Sequence, residues 1–447
     1  MLGRLRHPLS AVGATTLLTL PWVFVWATGN AHSLGHLETV AISGVAVLGA
    51  SFMLAWAAET AEKDVPRAFA IAVLAVLAVA PEYAVDALYA WQAGAAAGTP
   101  EGLEAANLAV ANMTGANRIL IGLGWSGIAL FTVYRARNSA DPAVVRESGF
   151  LKSKVKLDRD LATEIAFLLA ATVFAFFVPL GGGIGMVDTL VLVGLYAIYI
   201  GIIIRGDVED HEEQVGVPAY LQSFSKGPRI ASVLLLFGYS GAMIYTAVHP
   251  FASGLESLGL ALGIPPFFMI QWLAPLASES PELIVVAYLV NKARSTAGFN
   301  ALISSKLNQW TLLIGTIAVV YSVAAGTIGK LPFDEKQQAE IWITAAQSFF
   351  ALAVLTNFEI SVREAVVLLV LFVSQVVAEF WVIQTMAEPA ASDLSLLMLH
   401  GYTVLYIVIG AVLFVTRRDE VRAIADRTAA NVRNAISRGS EPVEHAD

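Results

Sequence analysis

Two apolar stretches of the sequence each contain a proline followed by a glutamate, and they lie 200 positions apart. Pro81-Glu82 matches Pro281-Glu282 without a gap, and the second stretch carries a further acid, Glu279. A carboxylate at mid-bilayer depth costs roughly 3 kcal/mol or more and usually marks a functional pathway. Proline also removes one backbone hydrogen bond from a helix. The sequence therefore predicts two apolar helices, each with a buried carboxylate and an interrupted backbone hydrogen bond at the same point.

The chemistry that these points favour is the binding of a hard cation. The prolines free the carbonyl oxygens of Leu77 and Ala277 beside the acids. Asp86 lies one helical turn after Glu82, and thus on the same helix face. Carboxylate, carbonyl and amide oxygens are the ligands of ions such as Na⁺ and Ca²⁺. Soft metals are not expected, since the chain has no cysteine.

Each proline segment is followed by a segment rich in small and polar residues. Polar side chains inside a bilayer cannot all face lipid at acceptable cost. They either complete a cation site or only form hydrogen bonds between helices, and both interpretations remain open for any single residue. These residues are Asn112, Asn117, Asn300, Ser304, Ser305, Asn308 and Gln309.

The composition indicates an all-α polytopic membrane protein. The chain is 57% hydrophobic and 14% charged, whereas soluble proteins carry about 25% charged residues. A spanning helix needs about 20 apolar residues, which predicts twelve spans and no sheet. The predicted spans are 9–29, 37–58, 66–92, 103–134, 161–180, 185–205, 229–249, 264–291, 299–327, 340–357, 360–386 and 395–416.

The distribution of basic residues predicts the topology. If both termini are cytoplasmic, 23 of the 27 Lys and Arg residues fall on the inner side and only Lys330 and Lys336 fall in outer loops. The other two, Arg118 and Lys306, lie inside predicted spans. This asymmetry follows the positive-inside rule. It predicts a multi-pass protein of the cell membrane with its N- and C-termini in the cytoplasm.

The two proline–glutamate helices are the third and eighth spans. An odd offset means that they cross the membrane in opposite directions, which is typical of the inverted-topology repeats of secondary transporters. We expect a core of five plus five helices with one extra helix at each end. The expected units are an N-terminal helix (1–36), a first repeat (37–205), an acidic cytoplasmic linker (206–228), a second repeat (229–386) and a last helix with a cytoplasmic tail (387–447).

Four stretches resemble a known family. Ala78-Val-Ala-Pro-Glu82 with Ala111-Asn-Met-Thr-Gly-Ala-Asn117, and Ser278-Glu-Ser-Pro-Glu282 with the segment from Asn300, are similar to the two α-repeats of the Ca²⁺/cation antiporter superfamily, which includes the Na⁺/Ca²⁺ exchangers. The resemblance implies alternating-access exchange of cations with Glu82 and Glu282 as central ligands. It also implies roles for Ser278, Ser305 and Gln309 in the second repeat, and for Asn112, Gly115 and Asn117 in the first.

The sequence departs from the family pattern in the charges around this site. Lys306 stands where the family has Asn, Arg118 follows Asn117, and Glu279 is an added acid. In the first repeat, Ala116 and Leu120 take the places that Ser305 and Gln309 hold in the second. Arg118 and Lys306 would compensate two of the four negative charges of Glu82, Asp86, Glu279 and Glu282, which favours fewer bound ions and a larger part for protons.

Three functions remain open. The preferred one is antiport of Ca²⁺, or another cation, against Na⁺ or H⁺. The alternatives are a monovalent cation/proton antiporter of the same fold and a non-transporting membrane sensor or scaffold. An enzyme is not expected, because no nucleophile–base set or nucleotide loop appears. The expected partners are inorganic cations and the bilayer, with no cofactor and no nucleic acid. The acidic run 207–213 is interpreted as a solvated linker, with a regulatory cation site as the alternative. Glu379 either lines a proton route or pairs with Gln375.

Overall fold

The computed structural model describes residues 7–64, 80–138, 140–149, 151–205 and 214–439. These ranges contain thirteen long helices together with short helices such as Val217–Gln222. The long helices are α1 (Pro8–Ala27), α2 (His36–Ala61), α3 (Ala80–Ala95), α4 (Pro100–Arg135), α5 (Ala162–Ala175), α6 (Met186–Arg205), α7 (Lys226–Ala261), α8 (Pro266–Asn291), α9 (Ser295–Ala325), α10 (Glu335–Leu355), α11 (Val362–Thr385), α12 (Ala390–Thr416) and α13 (Arg418–Gly439).

Eleven segments of the described chain are long and apolar enough to cross a bilayer, and they correspond to α1, α2 and α4 to α12. Large apolar side chains on their outer faces are exposed; Tyr245 on α7, for example, is 88% exposed. In a membrane protein such a surface contacts hydrocarbon, so it needs no further partner. The prediction of an all-α polytopic membrane protein is confirmed.

Contacts between helix ends show that α2 and α4 end on the same face of the protein. Lys63, just after α2, donates to the carbonyl of Gln222, just before α7, at 2.7 Å. Helices α7 and α8 then cross the membrane and return, and Asn291 at the end of α8 accepts from Arg135 at the end of α4 at 2.9 Å. Helix α2 thus ends on the face where α4 also ends. Helix α4 begins on the opposite face, and the described helix α3 precedes it.

One local expectation was wrong, since we expected no sheet. Strands β1 (Val144–Val145), β2 (Lys154–Lys156) and β3 (Glu359–Ser361) form a small antiparallel sheet in the order β1-β2-β3. Val155 and Ile360 pair at its centre and are fully buried. Strands of two or three residues are too short to show an alternating pattern, so hydropathy could not indicate them. The sheet joins the basic loop after α4 to the start of α11.

The C-terminal helix α13 lies against the beginning of α5. Thr428 Oγ1 donates to the carbonyl of Ala162 at 3.3 Å, and Asn431 donates to Thr163 Oγ1 at 2.9 Å.

Two predicted features fall outside the described residues, namely the acidic run 207–213 and most of the segment that precedes Ala80.

Candidate cation-binding site

Glu82 and Asp86 lie one turn apart on α3 and are almost fully buried, with 4% and 0% of their surfaces exposed. Asn112 on α4 donates from Nδ2 to Asp86 Oδ1 at 2.8 Å. Within the described residues, Glu82 Oε2, Asp86 Oδ2 and Asn112 Oδ1 accept no hydrogen bond. Buried oxygens of this kind are normally satisfied, and a cation can satisfy several of them at once.

Glu279 and Glu282 form the corresponding pair on α8. Gln309 on α9 donates to Glu279 Oε1 at 2.5 Å, and Ser305 on the same helix donates to Glu282 Oε2 at 2.9 Å. Glu279 Oε2 and Gln309 Oε1 accept no hydrogen bond from the part of the chain that is described. Three of the four acids are thus each held by a neutral side chain from the helix that follows in the sequence.

The acids of α3 and α8 face one another. Glu82 interacts electrostatically with both Glu279 and Glu282, and Ser278 lies within hydrogen-bonding reach of Glu82. Buried carboxylates at such proximity repel one another unless a cation or protons lie between them. The structure therefore brings together acids from both halves of the chain, as the sequence predicted.

Prolines and a glycine shape the backbone around these acids. Pro281 leaves the carbonyl of Ala277 without its helical donor, and Pro275 does the same for the carbonyl of Gln271. At Gly115 on α4, an added Cβ would lie only 1.7 Å from that Gln271 oxygen. Glycine is therefore required for α4 to approach α8 this closely. Leu77, the other predicted carbonyl ligand, lies outside the described residues.

Helices α4 and α9 each contain a widened, π-helical segment directly after the polar positions. The segments are Leu120–Trp125 in α4 and Gln309–Leu313 in α9. Leu120 and Gln309, the residues at which they begin, are also the pair that the comparison of the two halves aligns. Such π-helical segments often occur at functional sites. In α9 the segment begins at Gln309, which holds Glu279, and in α4 it begins three residues after Asn117.

Lys306 reaches the region between the two halves. Its Nζ donates to Asn117 Oδ1 at 2.6 Å and to the Asn117 carbonyl at 3.2 Å, and it lies 4.4 Å from the centroid of the Trp310 ring. The lysine is fully buried and interacts electrostatically with Glu279. When protonated, it compensates one negative charge of the acids, and this role stays a prediction.

Arg118 does not do so. Its Nη1 lies 2.6 Å from Glu340 Oε2 on α10, its Nη2 donates to Gln375 on α11, and its guanidinium lies 5.0 Å from the centroid of the Trp272 ring. Consecutive residues of a helix point about 100° apart, so Arg118 points to a different side of α4 from Asn117, whose side chain contacts Lys306. With Lys306 alone, three negative charges remain uncompensated when all groups are ionised, rather than two.

Sequence reasoning missed several buried polar residues around Arg118. Glu340 is fully buried, yet it stands at the first position of a predicted span, where a solvated helix end is the ordinary interpretation. Gln271 and Gln347 are also fully buried. Uncharged amides barely lower the hydropathy of a span, so the signal that could have found them is the rarity of glutamine in apolar helices.

The acids do not form a closed metal cage. Within the described ranges, no three Asp, Glu or His side chains converge as a metal-binding group. A cation between α3 and α8 would therefore complete its coordination with amide, hydroxyl and backbone oxygens, which suits Na⁺ or Ca²⁺. A site of this kind can release its ion, since tight binding by many charged ligands would oppose transport.

Comparisons with known proteins agree with this geometry. The family model described as sodium/calcium exchanger protein matches residues 37–205 and 232–381. The solved H⁺/Ca²⁺ exchanger CAX is 41% identical, with 96% of this chain and 98% of that chain covered and a TM-score of 0.82. The selenium-substituted Ca²⁺/H⁺ antiporter YfkE shares the fold at 12% identity, with a TM-score of 0.58 over 82% of this chain and 99% of that one. No curated protein sequence matches significantly.

The family match covers well over half of the chain, and it includes both proline–glutamate helices and the polar helices that follow them. Members of this family are transporters and not enzymes, which confirms the expectation from the sequence. The chain belongs to the sodium/calcium exchanger protein family, within the Ca²⁺/cation antiporter superfamily that its repeated motifs resemble.

Proposed function

We propose that this protein is an antiporter that exchanges Ca²⁺ for H⁺ at the site between α3 and α8. The observation that carries the proposal is the proximity of Glu82 to Glu279 and Glu282. Glu82 lies on the proline-containing helix of the first half of the chain, and the other two acids lie on the proline-containing helix of the second half. The 41% identity to a solved H⁺/Ca²⁺ exchanger supports the choice of ions. Ca²⁺ prefers such oxygen ligands.

Lys306 supports proton coupling over Na⁺ coupling. Its buried ammonium occupies space and supplies charge beside the acids, so fewer positions remain for Na⁺ ions. After Ca²⁺ leaves, the crowded carboxylates repel one another. Protons remove that repulsion without needing a coordination shell, whereas Na⁺ would need several oxygens per ion.

The direction of the helices supports alternating access by inverted repeats. From the contacts of its neighbours, α3 crosses the membrane from the face where α2 ends to the face where α4 begins, and α8 crosses in the opposite direction. In this proposal, residues 37–205 and 229–386 are two inverted repeats around the site. The excess of basic residues on one side supports a cytoplasmic position for both termini.

The purified protein in liposomes tests this function. An imposed pH gradient should drive Ca²⁺ flux, read by a calcium dye inside the vesicles, and Glu82→Gln or Glu282→Gln should reduce it to the background of empty liposomes. Glu104→Gln on α4 is the matched control, because that side chain is exposed. Full exchange in both site variants contradicts the proposal. Flux of Na⁺ but not Ca²⁺ in the wild type would favour the monovalent alternative.

A further inference from the structure

A second chain of buried charged and polar groups lies beside the cation site, and we call it the Arg118 network. Its members are Arg118 on α4, Lys336 and Glu340 on α10, and Gln375 and Glu379 on α11. Arg118, Glu340 and Gln375 are fully buried and Glu379 is 1% exposed, whereas the Lys336 side chain remains 18% exposed. The network therefore extends from a partly exposed edge of the protein into its interior.

Each member of the Arg118 network contacts the next. Lys336 Nζ lies 2.8 Å from Glu379 Oε1. Gln375 donates to Glu379 Oε2 at 2.8 Å and accepts from Arg118. Arg118 Nη1 lies 2.6 Å from Glu340 Oε2. The chain of contacts is thus continuous from the start of α10 to the middle of α4.

The inner end of the network adjoins the cation site. Arg118 follows Asn117, whose side chain accepts from Lys306 at 2.6 Å. Gln271 on α8, the helix that carries two of the acids, faces Glu340. The two polar regions are therefore separated by the width of one helix, and α4 contributes to both.

The charges in the network balance, but its hydrogen bonds are incomplete. Two cations and two carboxylates give no net charge when all are ionised. Two of its atoms, Glu340 Oε1 and Arg118 Nε, nevertheless have no hydrogen-bond partner among the described residues, and the same holds for Gln347 Oε1 and Tyr406 OH beside Arg118. All four atoms are buried. A purely structural network is expected to satisfy its members. Buried polar atoms grouped in this way bind internal water, which connects ionisable groups.

We infer that Glu379 and Glu340 carry the counter-transported protons between the edge of the protein at Lys336 and the cation site, an inference that rests on the proposed function. A proton from bulk water binds the Glu379 carboxylate, passes through internal water to the Glu340 carboxylate, and passes from there through internal water to a carboxylate of the cation site. Each transfer leaves the donor ionised and the acceptor neutral, so no further reactant is needed. Arg118 and Lys336 remain protonated throughout, and each holds one carboxylate in place.

The groups that face these two carboxylates are consistent with the inferred roles. Glu379 is faced by Lys336 from α10, by Ser395 from α12 at 3.3 Å, and by Gln375 on its own helix. Glu340 is faced by Arg118, with Glu379 and Lys336 in electrostatic range. Each carboxylate therefore has one cation beside it, which holds its side chain in place.

Two flux assays on the full-length protein in liposomes separate proton transfer from ion binding. The first measures Ca²⁺ flux driven by a pH gradient. The second measures exchange of radioactive Ca²⁺ for unlabelled Ca²⁺ at equal pH, which requires the cation site but no net proton movement. We expect Glu379→Gln and Glu340→Gln to lower the first rate by about a hundredfold, the scale of one lost acid–base group, and to leave the second within about twofold of the wild type.

The control is Glu164→Gln on α5, where a carboxylate accepts one hydrogen bond from Tyr199 at 2.9 Å outside both polar regions. This variant should keep both rates. Loss of pH-driven flux with retained Ca²⁺/Ca²⁺ exchange supports the inference. Unchanged rates in Glu379→Gln and Glu340→Gln overturn it, and so does an equal loss of both rates. A wild-type protein without any pH-driven flux instead overturns the proposed function.

Removing a single carboxylate leaves a buried cation without its partner, which can prevent folding. The double variant Lys336→Met with Glu379→Gln removes one charge of each sign and keeps the network neutral. We expect it to show the same selective loss of pH-driven flux. Wild-type flux in this double variant would mean that the ion pair serves only packing, and it would overturn the inference.

Discussion

Lys306 Nζ and Asn117 Oδ1 lie 2.6 Å apart, and these two residues occupy corresponding positions in the two halves of the chain. The halves therefore contact each other through a pair of aligned positions at which the residue types differ. An ammonium in one half donates to an amide oxygen in the other. This pair fixes one positive charge beside the acids, and its charge should set how strongly the site holds a divalent cation.

Lys306→Asn should tighten Ca²⁺ binding. The change restores the residue that the family pattern has at this position and removes one positive charge near Glu279. We expect the Kd for Ca²⁺ to fall by at least about tenfold, which corresponds to roughly 1.4 kcal/mol. Calorimetric titration of the purified protein at neutral and mildly alkaline pH measures it. Lys63→Asn, a change of the same type outside the spans, is the control. Weaker binding in Lys306→Asn would contradict the assigned role.

Gly115→Ala should destabilise the packing of α4 against α8. An added Cβ would lie 1.7 Å from the Gln271 carbonyl oxygen, so the two helices must separate. Overpacking of this kind costs about 1–3 kcal/mol. Gly127→Ala on the same helix is a matched control, because no atom lies within 4 Å of a Cβ there. Thermal unfolding in detergent should show a lower midpoint for Gly115→Ala only. Equal midpoints would mean that the helices adjust freely.

Asn112→Ala should weaken ion binding through Asp86. The variant removes the donor to Asp86 Oδ1, and a buried acceptor left unsatisfied costs about 1–3 kcal/mol. We expect Ca²⁺ affinity to drop by about tenfold or more. Asn107→Ala, on the same helix but half-buried, removes two hydrogen bonds with Asp334 and should leave the affinity unchanged. Equal affinities in both variants would show that Asn112 does not position a ligand.

Asp64 gives the protein a pH-dependent stability outside the spans. Hydrogen bonds from Arg229, at 2.6 Å and 2.5 Å, lower the pKa of the Asp64 carboxyl below its usual value, while partial burial opposes the shift. Because the folded-state pKa is lowered, the ionised carboxyl stabilises the protein at pH values above the unfolded-state pKa of about 3.9. This stabilisation is lost as the pH falls through the folded-state pKa.

Asp64→Asn should therefore lower the unfolding midpoint at neutral pH, and the difference from the wild type should shrink once the solution is more acidic than the unfolded-state pKa. Thermal unfolding over a pH series measures this. Asp419→Asn is the control, because its pair with Arg422 is exposed and 3.7 Å long and should contribute little. A difference that persists in acid would mean that Asp64 acts through packing rather than charge.

The site was predictable from the sequence where a residue type that is costly in a membrane occurs twice, at matching positions of the two halves. Glu82 and Glu282 are conspicuous because carboxylates are rare in apolar runs, and the 200-residue offset relates them without any alignment of other proteins. The partners of Arg118 were not predictable. Glu340 lies 222 positions away on another helix, and hydropathy does not report how a helix is rotated about its axis. The small sheet was not predictable for a related reason. Its strands are brought together by the fold, and they are too short to show an alternating hydropathy pattern.

The close approach at Gly115 has a mechanical consequence. The carbonyl oxygen of Gln271 on α8 occupies the space that any side chain at position 115 of α4 would fill. Sliding α4 along α8 by one residue would bring a larger side chain against that oxygen. This contact therefore opposes sliding of the two helices, although they come from different halves of the chain. We expect opening of the site to either side of the membrane to come from elements that move around this pair.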